Sequence, residues 1–121
     1  MQTLDAAELL SALGHESRLS IFRLLVEAGE SGMNASAIGE KVGLAPPTLS
    51  FHLAHLSRVG LIKGRQDRRF IYYSANFPQM DDLLSFLTSN CCQGNACLPK
   101  TASAGIVPVA RIKRRKAPPA K

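Results

Sequence analysis

Glycine and proline divide the first ninety residues into short segments, which confines the chain to short secondary-structure elements. Gly14 and Gly43 each follow a periodic apolar segment, which is the position where glycine ends a helix. Pro46-Pro47 marks a helix start, because the first amides of a helix have no intrahelical acceptor. With 121 residues, the chain is long enough for one domain and too short for two separate cores.

The spacing of apolar residues between these breaks predicts five helices. The second helix carries apolar residues on more than one face, so we expect it to lie at the centre of the fold. Asn34 is a good N-cap for the short third helix. The predicted helices span Leu4–Leu13, Glu16–Ala28, Ala35–Val42, a segment that starts at Pro46, and Phe77–Asn90.

Two β-prone segments lie between the fourth and fifth helices. Leu61–Arg65 and Arg69–Ser74 are separated only by Gln66-Asp67-Arg68, which predicts a two-stranded hairpin with a basic tip. The fold class is therefore mostly α with a small β-hairpin, over residues 1–90. A tight turn before the fourth helix and a hairpin after it give the order of a winged helix-turn-helix.

The basic side chains are concentrated in two stretches of the chain. Residues 41–73 carry six basic side chains and one acidic one, and residues 98–121 carry seven basic side chains and no acidic one. Basic charge gathered in one zone of a small domain is typical of nucleic-acid binding, although a solvated surface with a basic tail has the same composition. In a winged helix-turn-helix, the fourth helix enters the major groove and the hairpin reaches the flanking backbone.

The side chains predicted to contact double-stranded DNA form two groups. Hydroxyl, imidazole and aromatic groups suit base edges and thymine methyls, whereas arginines suit phosphates. Phe51 has an alternative as a core or dimer contact, the histidines as surface groups, and the arginines as charges that protect an edge strand. The candidates are Thr48, Ser50, Phe51, His52 and His55 on the helix, and Arg65, Arg68 and Arg69 on the hairpin.

Three stretches of the chain together resemble the ArsR/SmtB family of metal-responsive repressors. They are Leu13-Gly14-His15-Glu16-Ser17-Arg18-Leu19-Ser20-Ile21, then Leu44-Ala45-Pro46-Pro47-Thr48-Leu49-Ser50-Phe51-His52-Leu53 through Leu56 with Gly60-Leu61-Ile62, and Tyr72-Tyr73. The resemblance covers residues 4–90. It implies a homodimer, joined through the first and fifth helices, that binds an operator and leaves it when an inducing ion binds. An exposed apolar stripe on the fifth helix agrees with such a dimer.

Three residues depart from the usual pattern of that family. Ala45 stands where the family usually has a capping residue, so the fourth helix loses an N-cap worth about 1 kcal/mol. Arg68 stands where the family usually has glycine, which predicts a different hairpin turn. Phe51 replaces the second histidine of the family's motif, which predicts a different operator sequence.

The three cysteines of the chain lie within seven residues, where the last helix is predicted to end: Cys91, Cys92 and Cys97. Adjacent helical side chains point about 100° apart, so two neighbouring cysteines bind one ion only where the backbone unwinds. Gly94 and Asn95 tolerate the left-handed conformations that such a curl needs. Segment 91–97 can therefore form a three-thiolate site on one protomer.

Three thiolates without a histidine or carboxylate select a soft ion. Structural zinc sites take four ligands, whereas the lone pair of trivalent arsenic or antimony fills the fourth direction of a pyramidal three-sulfur site. We therefore expect arsenite as the inducer, with antimonite as a second candidate, and no organic cofactor. The resemblance implies the same ion, because some arsenic-responsive members of the family bind through cysteines at the end of the fifth helix.

Other function classes remain open. The same cysteines can sense oxidants by forming disulfides, or bind another soft ion such as cadmium. A thiol enzyme is not expected, because no histidine or basic residue lies near the cysteines in sequence to activate a nucleophile.

The ends of the chain predict its location and a flexible extension. The N-terminus lacks a secretory pattern and no apolar run approaches the roughly 20 residues of a membrane span, so we expect a cytoplasmic protein without membrane contact. Residues 98–121 are predicted to be a disordered basic tail, because they contain too few large apolar residues to offset the entropy of ordering. This tail is either a nonspecific DNA arm or a solubilising segment.

Overall fold

The computed structural model describes residues 1–94 of the chain. Its elements are α1 (Thr3–Leu13), α2 (Glu16–Ala28), β1 (Met33–Asn34), α3 (Ala35–Val42), α4 (Pro46–Arg58), β2 (Ile62–Asp67), β3 (Phe70–Ala75), α5 (Phe77–Leu87) and a 3₁₀ turn (Cys91–Gly94). The predicted bounds of the second and third helices are confirmed, and α5 ends at Leu87 rather than at Asn90. The predicted fold class, a mostly α winged helix-turn-helix, is also confirmed.

The described residues belong to two compact units. The first, Met1–Leu87, contains all five α-helices and the sheet, and the residues from Thr88 onward belong to the second. The predicted basic tail, residues 98–121, lies outside the described residues. In the part of the chain that is described, no helix has both the length and the apolar character to span a membrane.

Helix α2 is the centre of the first unit. Ile21 and Leu25 are completely buried and Phe22 is nearly so. Because α2 carries apolar side chains on several faces, it packs against α1, α3, α4 and β3. This arrangement confirms the predicted central helix, and it fixes the position of α4 and of the sheet relative to one common support.

Side-chain caps and glycine set the helix boundaries around α2 and α3. His15 Nδ1 accepts the Ser17 amide at 3.1 Å at the start of α2, and Asn34 Oδ1 accepts the Ala37 amide at 2.9 Å at the start of α3. Gly43 ends α3 in the left-handed conformation, with a φ of 73°. Ala45 provides no side-chain cap for α4, as its sequence predicts, and Pro46-Pro47 occupies the first turn instead.

The predicted two-stranded hairpin is confirmed as β2 and β3, and a further strand that was not predicted, β1, extends it to a three-stranded antiparallel sheet in the order β1-β3-β2. The missed strand, β1, is only two residues long and pairs Met33 with Tyr73 and Asn34 with Tyr72. A segment this short has no periodicity from which to recognise it. The hairpin turn also differs, because Asp67 pairs with Phe70 and leaves Arg68-Arg69 as the loop in place of residues 66–68.

Gly32 is required for the chain to enter β1. Its φ is 72°, and a Cβ at this position would overlap the carbonyl oxygen of Tyr73 in the neighbouring strand. A side chain here is therefore excluded twice, by the backbone conformation and by the close approach of β3.

Replacing Gly32 with alanine is expected to lower the free energy of unfolding by about 2–4 kcal/mol, because it combines left-handed strain with overlap against β3. Gly43→Ala is the matched control, since Gly43 has nearly the same φ but nothing within 4 Å of an added Cβ. The control should cost only about 1 kcal/mol. Equal losses in urea unfolding of the two variants would show that the contact with Tyr73 contributes nothing.

Candidate nucleic-acid interface and thiol segment

Helix α4 presents one buried and one exposed face. Leu49, His52, Leu53 and Leu56 are buried against the rest of the domain. Thr48 and Ser50 are exposed, Phe51 is 64% exposed, and His55 is half-buried. The exposed face combines hydroxyl groups with an aromatic ring and an imidazole, so it can both hydrogen-bond base edges and pack on a thymine methyl.

The sequence predicts that His52 contacts base edges, but the structure buries this side chain. His52 is 6% exposed, its ring centroid lies 4.8 Å from that of His15, and its Nδ1 lies 3.4 Å from Arg18 Nη1. Base contact is therefore no longer assigned to His52. The signal was present in the sequence, because His52 completes the i, i+3, i+4, i+7 pattern of Leu49, Leu53 and Leu56.

Both histidines of α4 are held toward their neutral forms. Burial lowers the pKa of His52, and the positive charges of His15, Arg18 and His55 lower it further. Burial also lowers the pKa of His55, with smaller effects from Arg18 and Arg58. A neutral imidazole has one donor and one acceptor nitrogen, so His55 can read either kind of base group.

The β2–β3 hairpin, here called the wing, carries the three predicted arginines on an exposed surface. Arg65 is folded against the wing: its guanidinium lies 5.4 Å from the Tyr72 ring centroid and donates to the Ser31 carbonyl at 3.3 Å. Arg68 and Arg69 form the two-residue loop at the tip. The tip arginines are therefore the ones most available for phosphates, whereas Arg65 already has partners within the domain.

Arg68 occupies a backbone conformation that favours glycine. Its φ is 63°, in the left-handed region. In two-residue hairpin loops, a positive φ at the first position is usually met by glycine or asparagine. Arg68, which stands where the family usually has glycine, therefore places a cation at the tip of the wing at the cost of backbone strain.

Exposed apolar side chains also occur where the sequence analysis assigned no function. Phe70 and Ile71 are about half exposed beside the tip of the wing. Sequence reasoning treated them only as strand residues, because it placed the turn one position too early. Their exposure gives the wing an apolar surface next to its arginines.

The outer helices carry an exposed apolar stripe. Leu4 and Leu10 on α1, and Leu84 and Leu87 on α5, are all exposed, with Leu4 at 70%. On α5 the predicted stripe is partly internal, because Leu83 is buried. Several large apolar residues on two helices of one small domain are typical of an interface.

The thiol segment, residues 91–94, leaves regular helical geometry as predicted. Asn90, Cys92 and Gln93 have φ values of 56°, 55° and 59°, so the observed left-handed residues precede the predicted Gly94 and Asn95. The Cys91 and Cys92 sulfurs lie 3.5 Å apart. For ion–sulfur bonds of about 2.3 Å, that separation corresponds to a sulfur–ion–sulfur angle of roughly 100°. Two neighbouring cysteines are thus brought within reach of one ion.

The Cys92 sulfur is bonded in a disulfide, and the Cys91 sulfur is not. The third predicted ligand, Cys97, lies outside the described residues. Among residues 1–94, no three histidine, cysteine or carboxylate side chains are grouped to hold a metal ion.

Comparisons with known proteins identify similar regulators. Residues 13–65 match the family model of a helix-turn-helix domain. YgaV of Escherichia coli, an HTH-type transcriptional regulator, is 32% identical over 73% of this chain and 87% of its own length. The structure of HlyU from Vibrio cholerae, a transcriptional activator, has a TM-score of 0.60 at 26% identity and covers 77% of this chain and 100% of that one. An ArsR-like regulator from Rhodococcus, with a TM-score of 0.62 at 24% identity over 69% and 76% of the two chains, shares the fold.

Replacing Arg68 with glycine is expected to raise the free energy of unfolding by about 1 kcal/mol, because it removes the left-handed strain. The same change should weaken DNA binding and reduce the salt slope by about one per bound protomer, because a phosphate contact is lost. Arg68→Ala is the matched control, since it removes the cation and keeps the strain. If Arg68→Ala is as stable as Arg68→Gly in urea unfolding, the strain argument is wrong.

Proposed function

Because the chain belongs to the helix-turn-helix transcriptional regulators, we propose that it represses transcription as a homodimer on operator DNA. Release occurs when the Cys92 disulfide has been reduced and arsenite, or antimonite, binds the thiolates of Cys91, Cys92 and Cys97. The observation that carries the inducer assignment is the 3.5 Å separation of the first two sulfurs on a backbone that has left helical geometry.

The exposed face of α4 supports the DNA-reading part of the proposal. Thr48, Ser50, Phe51 and His55 point away from the core on the helix that follows the tight turn. Arg68 and Arg69 add positive charge at the tip of the wing. In winged helix-turn-helix proteins these two elements take the major groove and the flanking backbone, so base contacts set specificity and arginines set affinity.

The apolar stripe on α1 and α5 supports the homodimer. A twofold dimer uses the same surface on both subunits, and the exposed leucines provide a self-complementary apolar surface. Dimerisation through these helices sets the distance between the two copies of α4. Successive major grooves on one side of DNA lie about 34 Å apart, so a dimer binds both half-sites at only one separation.

Arsenite binding is expected to act by changing the distance between the two copies of α4 in the dimer. Drawing three sulfurs around one ion reshapes the segment that follows α5 in the chain, and a shift in the dimer costs contacts at both half-sites. The inducer must bind the DNA-free dimer more tightly than the DNA-bound dimer, and coupling of about 1–3 kcal/mol is typical. The sign of regulation is also part of the proposal, because HlyU is an activator.

A redox-responsive repressor is the second candidate, because Cys92 is disulfide-bonded beside the Cys91 thiol. Two thiols that form a disulfide give two electrons and two protons to an oxidant such as hydrogen peroxide. Oxidation would then reshape the same segment without a metalloid. The two candidates differ in the role of Cys91, which the arsenite site requires as a ligand.

Replacing Cys91 or Cys97 with serine is expected to leave operator affinity within about twofold and to abolish release by arsenite, because two thiolates do not complete the pyramidal site. Release is measured by fluorescence anisotropy of labelled operator under reducing conditions, with zinc and cadmium as comparison ions. Ser89→Ala is the control, because it changes a residue two positions before the thiol segment without removing a sulfur.

The same assay separates the two candidates. If Cys91→Ser retains full release by arsenite, the three-thiolate site is wrong. If hydrogen peroxide releases DNA and arsenite does not, the redox-responsive repressor is the better assignment. A reporter gene behind the operator then gives the sign of regulation, and an increase in transcription on adding the protein would contradict repression.

A further inference from the structure

One guanidinium contacts two elements to which the proposed function gives separate roles. Arg18, on α2, donates from Nε to the Ala12 carbonyl oxygen at 2.7 Å, and its Nη1 lies 3.4 Å from His52 Nδ1. Ala12 belongs to the last turn of α1, and His52 lies on the buried face of α4. Arg18 thus connects the helix that carries the apolar stripe with the helix that carries the DNA-reading face.

The contact with α1 satisfies a group that the helix itself leaves without a partner. The last four carbonyls of a helix have no intrahelical donor, and they form the negative end of its dipole. The last turn of α1 contains no basic residue of its own. Ala12 is completely buried, so losing the Arg18 bond would leave a buried acceptor unsatisfied.

The contact with α4 requires one protonation state of His52. Arginine has only donors, so His52 Nδ1 must be the acceptor and the neutral ring must carry its proton on Nε2. A second proton on His52 would remove this acceptor. It would also place two positive charges within 3.4 Å of each other.

The charged surroundings of His52 come from two elements. His15 and Arg18 face it from the start of α2, and His55 lies on its own helix. Burial and these three groups lower the pKa of His52 below its usual value of 6.5. The stabilising contact is therefore fully present above pH 6.5 and is lost as the pH falls through the lowered value.

We propose that Arg18 is a positioning residue that orients the DNA-reading helix against the end of α1, and that protonation of His52 releases this contact and weakens operator binding. The inference rests on the proposed DNA-reading role of α4. The expected loss of DNA affinity on protonation of His52 is opposite in sign to the direct effect of charge, because added positive charge on a DNA-binding protein ordinarily strengthens binding. A loss of affinity on acidification therefore points to geometry rather than to net charge.

The three histidines of the chain allow the acidification effect to be assigned to one side chain. His15→Asn, His52→Asn and His55→Asn are compared with the unchanged protein between pH 7.5 and 5.5. The probe is a duplex selected by the unchanged protein from a random-sequence pool. Asparagine at position 52 keeps an acceptor for Arg18 and cannot be protonated in this range. His52→Asn should bind roughly fivefold or more tightly than the unchanged protein at pH 5.5, while the other two variants keep the loss of affinity.

Arg18→Gln tests the positioning contact, with Arg23→Gln as the matched control. Arg23 lies on the same helix and pairs only with exposed Glu27 at 3.4 Å among the contacts of the described residues, so both variants lose one positive charge. Arg18→Gln should lower DNA affinity about tenfold with an unchanged dimer in sedimentation, and the control should stay within about twofold. The Cε1 proton of His52 should also titrate at a higher pH in Arg18→Gln, because a neighbouring cation is gone.

Specific outcomes overturn the inference. If His52→Asn follows the unchanged protein at every pH, or if Arg18→Gln binds DNA as tightly as Arg23→Gln, Arg18 and His52 do not position α4. If His55→Asn abolishes the loss of affinity instead, the proton acts at the DNA surface. If the unchanged protein selects no duplex from the pool, the proposed function fails rather than this inference.

Discussion

The burial of α2 is the constraint on which the rest of the domain depends. A helix with apolar side chains on several faces is stable only when neighbours cover most of them, and here α1, α3, α4 and β3 pack around α2. With Ile21 and Leu25 completely enclosed, small rearrangements of one neighbour disturb the packing of the others. The DNA-reading helix and the wing are therefore held at a fixed relative position by a common core.

The domain exposes apolar side chains on its outer helices and basic side chains on the wing. The exposed leucines of α1 and α5 lie outside the core, and the exposed arginines of the wing lie on the β2–β3 hairpin. Small domains have little interior to spare, so apolar residues that stay exposed favour contact with another subunit. Arg18 connects α1 with α4, because it donates to the Ala12 carbonyl and lies beside His52.

The thiol segment depends on backbone conformation as much as on its sulfurs. Regular helix would direct Cys91 and Cys92 apart, but left-handed residues on either side bring their sulfurs to 3.5 Å. The same closeness suits binding to one soft ion and also suits exchange between a thiol and a disulfide. Chemistry at this segment therefore depends on the redox state of its cysteines.

Much of the architecture was determined by the sequence, because its signals are local. Capping by Asn34, the left-handed Gly43 and the proline pair gave correct helix boundaries, and the positive φ of Arg68 agrees with the glycine expected there. Tertiary structure alone decided the pairing of β1 with β3 and the direction in which Arg18 points. Those features depend on contacts between residues far apart in the chain, and local periodicity does not specify such contacts.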